Sequence, residues 1–218
     1  MRRLLVAAEH VLTSRGIGES TVAAIAAHAE MSVGSIYRRF SSKEQLLQTV
    51  RNQLFTQLEE RVTHALRCSS TSGLSAIVGA FARALASTFA GRSRIFPELL
   101  VAQHDHGYEG GLEPLIAIQR ALVAAVQPRL TEIRRPDPEA AVHMAARTIL
   151  SSCVHRAATR QFWPDEPTWN TWAAEATEMA LAYLTTLPSG NGRDEQPRHH
   201  QGPPSTRRHR RPGGRIGP

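Results

Sequence analysis

The chain has 218 residues and a formal net charge of +7, enough for one or two domains with an ordinary buried core. No apolar run reaches the roughly 18 residues of a membrane helix, and no signal-type apolar segment follows Arg2-Arg3. Cys68 and Cys153 stand apart with no metal or redox spacing, so the chain reads as a cytoplasmic protein with reduced thiols. Its charge is uneven. Residues 1–51 carry seven Lys/Arg against four Asp/Glu, residues 52–187 twelve against thirteen, and residues 188–218 seven against two. Basic character is confined to the two ends of a neutral, alanine- and leucine-rich middle.

In chain order, Leu4, Leu5, Ala8, Val11 and Leu12 recur on one face of a first helix. Val22, Ile25, Ala26 and Ala29 do the same for a second, with Ser20 or Thr21 as its N-cap. Ser32 caps a third, in which Val33, Ile36, Tyr37 and Phe40 are expected to point inward. Gly34, Ser35, Arg38 and Arg39 then fall on the solvent side. A small residue followed by a long basic one on a short exposed helix suits entry into a DNA major groove. There Arg38 has the reach for a bidentate contact with guanine.

Ser41 and Ser42 are both placed to open a fourth helix, with Glu44 or Gln45 closing a capping box. Lys43 sits in its first turn, where the helix dipole disfavours a cation by a few tenths of a kcal/mol. It is the only lysine in the chain; the other 25 basic residues are arginine. A helix N-terminus already attracts a phosphate, and a lysine there adds a second contact to the same anion. Taken alone Lys43 is a plain surface residue, but beside Tyr37 and Arg39 it reads as a backbone clamp.

Beyond it the pattern stays helical. The fourth helix is expected to run from Ser42 to about Leu66, the next to about Ala90 after a break at Ser69–Ser72, and a short one over Phe96–Gln103. Gly107, Gly110 and Gly111 mark a loop, and Pro114 sits in the first turn of the following helix. Asp137-Pro138-Glu139 is an N-cap, a proline and an acid in the order that starts a helix, here lasting to about Arg160. Trp163-Pro164 ends that segment. Asp165-Glu166-Pro167 is expected to begin the last helix, which closes near Leu187-Pro188.

Residues 21–47 closely resemble the DNA-binding signature of the tetracycline-repressor (TetR) family of transcriptional regulators. Their order is Thr-Val-Ala-Ala-Ile-Ala-Ala-His-Ala-Glu-Met-Ser-Val-Gly-Ser-Ile-Tyr-Arg-Arg-Phe-Ser-Ser-Lys-Glu-Gln-Leu-Leu. The resemblance implies an all-α fold of about nine helices. A three-helix helix-turn-helix DNA-binding domain at 1–47 would precede a helical ligand-binding and dimerisation domain at 48–187. It also implies that Thr21, Tyr37 and Lys43 contact the DNA backbone, while Ser35 and Arg38, with Val33 and Gly34 beside them, sit in the groove. Two positions depart from the family pattern. Glu30 stands where the turn glycine is usual, so a position often needing positive φ carries a side chain. Arg39 replaces the common His or aromatic, adding charge at the backbone.

The same resemblance implies a homodimer built from the last two helices. One stripe comprises Ala140, Ala141, Met144, Thr148, Ser151, Val154 and Ala158. The other comprises Trp169, Trp172, Ala173, Ala176, Met179, Ala180, Tyr183 and Leu187. Either stripe taken alone also suits a core within one chain. A pocket for an unknown small-molecule effector is expected among the central helices. Its candidate residues are Phe81, Phe89, Phe96, Leu100, His104, Tyr108, Ile118, Leu122, His143 and Arg147, each of which also suits a core or surface position.

His104 and His106 diverge by about 200° on a helix and cannot chelate together there, so no metal site is read. Nor is there a cofactor motif or any catalytic residue set: G-x-S-x-G, H-E-x-x-H and a Walker lysine are all missing from the sequence. The tail at 188–218, with its run Arg207-Arg208-His209-Arg210-Arg211, has too few apolar residues to fold. It is either a non-specific phosphate binder or an arginine-rich terminus without a role. The function expected is a regulator, more readily a repressor, that binds a pseudo-palindromic double-stranded operator as a homodimer and is released by its effector. The competing class is a ligand-binding or interaction protein whose helix-turn-helix has lost its role.

Overall fold

All regular structure among the described residues is helical. The computed structural model describes residues 1–92, 94–101, 113–159 and 167–187, and of 97, 100 and 101 only the backbone. The elements are α1 (Arg2–Arg15), α2 (Val22–His28), α3 (Val33–Tyr37), α4 (Lys43–Cys68), α5 (Leu74–Ala90), α6 (Ile95–Val101), α7 (Glu113–Val126), a 3-10 turn (Gln127–Glu132), α8 (Pro138–Thr159) and α9 (Trp169–Thr185). No described helix is long and apolar enough to cross a membrane.

Side-chain caps explain most helix starts. Thr21 accepts from Ala24 N, Ser32 from Ser35 N, and Ser42 from Gln45 N, each satisfying one of the amides that a helix start leaves unpaired. Gln45 reaches back so that its Oε1 accepts from Ser41 N at 2.5 Å, which closes the box one residue outside the cap. Asp137 Oδ1 accepts from Ala140 N at 2.9 Å and starts α8. The last helix starts later than its acidic signal suggests. Thr168 is the cap of α9, accepting from Thr171 N at 3.1 Å, and Trp169 is the first helical residue. Asp165 and Glu166, like the expected stops at Gln103 and Arg160, the glycine loop and Trp163-Pro164, lie outside the described residues.

α5 is the central element. Its small residues Gly79, Ala80, Ala82, Ala84 and Ala86 are buried alongside Ile77, Phe81, Leu85 and Phe89, and it packs against α4, α7, α8 and α9. An aromatic chain ties the layers together. Phe55 of α4 meets Phe96 of α6 edge-on at 5.6 Å, and Phe96 stacks on Phe89 of α5 at 4.5 Å. Phe89 then touches Trp169 of α9 at 6.2 Å. Each such ring, removed from water, contributes about 1.5–3 kcal/mol. Arg51, buried within α4, lies 5.1 Å from the Phe55 ring, and burial lowers its pKa. Burial likewise pushes the Cys153 thiol up.

A backbone amide and a guanidinium meet the end of α9. Arg134 N donates to Leu184 O at 2.8 Å, and Arg135 Nε donates to Tyr183 O at 2.6 Å. The Arg135 guanidinium also covers the Tyr183 ring at 4.1 Å. Carbonyls at a helix C-terminus lack intrahelical donors, so this placement is favourable twice over.

Candidate nucleic-acid interface

α2 and α3 are joined by a turn in which the expected backbone conformation is realised. Glu30 has φ of 51°, the only non-glycine residue with positive φ among those described. Glu30 N donates to Ala27 O at 3.2 Å and Met31 N to Ala26 O at 2.9 Å. These two bonds form a Schellman end to α2, usually made by glycine. Arg3 on α1 closes over it, its Nε donating to Ala29 O at 2.8 Å and its Nη2 to Glu30 Oε2 at 2.5 Å.

Helix α3 is five residues long, and its inward face is narrower than periodicity suggests. Ile36 and Phe40, four apart on one face, are buried, whereas Val33 is 38% and Tyr37 50% exposed. This corrects the expectation that Val33 and Tyr37 point inward. At about 100° per residue, Val33 and Tyr37 fall about 60° and 100° from Ile36, both on the same flank of this one-turn helix, and that flank is left uncovered. Val33, Gly34, Tyr37, Arg38 and Arg39 are therefore all exposed, with Ser35 half-buried among them.

Beyond its chain neighbours and its own helical backbone, no atom lies within 4 Å of where a side chain at Gly34 would begin. Arg38 Nη2 donates to Ser35 Oγ at 2.8 Å, and Ser35 Oγ stands 2.8 Å from Ser32 Oγ. The guanidinium is thus laid along α3 with donors left over. Thr21 sits exposed at the start of α2. Lys43 occupies the first position of α4, and its Nζ donates to Ile17 O at 3.2 Å. Sequence reasoning did not single out Ile17. The signal available was the Gly16-Ile17-Gly18 run, which reads as a turn and not as a partner of a lysine 26 residues on.

The effector-pocket candidates separate. Phe81, Phe89, Phe96, Ile118 and Leu122 are buried together in the core, His143 is half-buried, and Arg147 is exposed. Arg147 lines an outer groove of about 570 Å³ between α7 and α8, with Leu115, Gln119, Ser151, Val154 and His155. His104 and Tyr108, and the side chain of Leu100, lie outside the described residues.

The dimer candidates divide as well. Met144, Trp172, Ala176, Met179, Ala180 and Tyr183 line one apolar groove of about 320 Å³ between α8 and α9. Ser151 and Val154 instead face the α7–α8 groove. Ala141 and Ala173 are buried within the chain itself.

Residues 4–50 match the family model described as bacterial regulatory proteins, tetR family. No curated protein matches the chain. Among solved structures, it is similar to the ketosteroid transcriptional regulator KstR2 of Mycobacterium tuberculosis, with TM-score 0.61 and 20% identity over 85% of this chain and 96% of that one. The TetR-family regulator PfmR of Thermus thermophilus gives 0.62 and 22% over 86% and 100%. The regulator FadR of Bacillus subtilis, solved with stearoyl-CoA, gives 0.62 and 18% over 84% and 98%. Residues 4–50 therefore carry the sequence pattern of the tetR family of bacterial regulatory proteins, and over about 86% of its length the chain shares the all-helical fold of these solved structures.

Proposed function

We propose that this protein is a transcriptional repressor that binds a pseudo-palindromic operator as a homodimer and leaves it when a small molecule binds. The observation that carries this reading is the exposed face of α3. Gly34 leaves room for close approach, Ser35 and Arg38 offer donors to base edges, and Tyr37 and Arg39 flank them. In this reading Thr21, Tyr37, Arg39 and Lys43 hold the phosphates and Ser35 and Arg38 read the bases. Residues 1–47 are the reading head and 48–187 the sensing and dimerising body. α4 starts in the head with Lys43 and is about 39 Å long in all, most of it in the body.

The apolar α8–α9 groove supports the homodimer. Met144 and Met179 stand exposed beside it, and a symmetric copy of the same surface would cover them. Two-fold symmetry in the protein matches two-fold symmetry in its site. The aromatic interior, together with the steroid and acyl-CoA named for two structural neighbours, favours a hydrophobic effector. An effector that prefers a head spacing unsuited to DNA needs a coupling of only about 1–3 kcal/mol.

The test is gel retention of the chain's own upstream DNA against excess random duplex, with fatty acyl-CoA and steroid arms. Retention that survives the competitor and is lost with one effector supports the reading. Equal competition by random duplex overturns it.

A further inference from the structure

The turn after α1 is gripped from the body of the molecule. Gly16 has φ of 82°, a conformation that favours glycine, and an added Cβ there would press at 3.2 Å on both Arg94 Nε and Glu98 Oε1, which would have to give way. Ile17 N donates to Glu98 Oε2 at 2.7 Å, while Lys43 Nζ donates to Ile17 O at 3.2 Å. One residue thus connects a carboxylate on α6 to the amine at the start of α4. Neighbouring contacts hold the same two parts together. Arg94 Nη1 donates to Ser14 O at 3.0 Å, and Arg92 Nε donates to Glu9 Oε1 at 2.5 Å. The turn itself is braced by the buried Ser20, whose Oγ donates to Gly16 O at 2.5 Å.

We infer that Glu98 is a positioning residue for DNA binding: it fixes Ile17, whose carbonyl in turn aims the Lys43 ammonium at the DNA backbone. This rests on the reading of Lys43 as a phosphate contact. An ammonium has three donors, and the bond to Ile17 O leaves two for a phosphate. A hydrogen bond to a carboxylate is roughly twice as strong as a neutral one, so Glu98 is the stiffer end of the link. Only Ile17 φ and ψ separate its N–H from its C=O, so a shift of α6 that withdraws Glu98 frees the carbonyl that orients Lys43.

The experiment measures the salt dependence of full-length protein binding to a random-sequence DNA duplex. Lys43→Gln is expected to lower the slope of log K against log salt by about 1 per contact. Glu98→Asp keeps the charge but draws the carboxylate back by one methylene, and is expected to lower the slope equally. Glu98→Gln keeps an acceptor at full length and is expected to retain it. Adding Glu98→Asp to Lys43→Gln should change nothing further. Gly16→Ala, which drives a methyl against Glu98, reaches the link from its other side and should also lower the slope. An unchanged slope in Lys43→Gln overturns the phosphate contact and the inference with it. A slope lowered by Lys43→Gln but kept in Glu98→Asp and Gly16→Ala, or effects that add in the double variant, overturns the inference alone.

Discussion

Arg38 and Glu30 show how single side chains set the head. Arg38 is held along α3 by Ser35 Oγ at 2.8 Å, so its guanidinium is already fixed on the exposed face of the helix. Arg38→Ala is expected to cost about 1–3 kcal/mol at one or two base positions per half-site and little on random duplex. Titrations with single-base operator variants measure this; equal loss on both DNAs would make Arg38 a backbone contact. Glu30 bears a left-handed φ that costs an ordinary residue roughly 1–2 kcal/mol. The Arg3–Glu30 pair that accompanies it is mostly exposed and worth about 0–1 kcal/mol. Glu30→Gly should therefore raise the melting temperature by a few degrees at about 2–4 °C per kcal/mol. A fall would show that the Arg3 clamp outweighs the strain. The positive φ at Glu30 was legible only through the family resemblance, which places a turn glycine there. The exposure of Tyr37 was not, because periodicity gives a direction but not the width of the neighbour that covers it.

At the scale of elements, hydroxyl and carboxylate caps carried most of the readable signal. Thr21, Ser32, Ser42 and Asp137 each bond the amide three residues on, and the structure decides between Ser20 and Thr21 and between Ser41 and Ser42, which the sequence left open. Ser42→Ala should destabilise the protein by about 0.5–2 kcal/mol, read as a lower denaturant midpoint with unchanged slope. No change would mean that Gln45 and Ser41 hold the start of α4 without it. The start of α9 was read too early, because an acidic pair before a proline and a threonine after it are both valid starts. The 3-10 turn after α7 was not read, since Pro128 in its first turn allows a loop equally well. Long-range links such as Ile17 to Glu98 leave no periodic trace and emerge only when α6 is seen against α1.

For the whole molecule, the division of α8 into two faces decides where a second copy would sit. Met179 is 70% exposed, whereas Ala180 beside it is buried in its own chain, so only the former probes the surface without disturbing the core. Met179→Asp should leave the protomer folded and split the dimer, because two unpaired carboxylates would meet across an apolar seam. Light scattering reports the outcome, and a dimer of unchanged stability would move the interface to the α7–α8 groove. The helical class and the order of the α-helices among the described residues were legible from the sequence. The partition of Ser151 and Val154 from Met144 was not, because a residue's neighbours depend on where α7 and α9 land against α8.

The central claim, a two-fold regulator reading DNA through α3, is tested most directly by a nuclease footprint of the purified protein on its own upstream DNA. The account predicts two protected half-sites of inverted sequence, their centres about 10 base pairs or a multiple apart, with protection lost in Arg38→Ala. Protection that spreads evenly along the fragment, with no preferred site at any protein concentration, would contradict it.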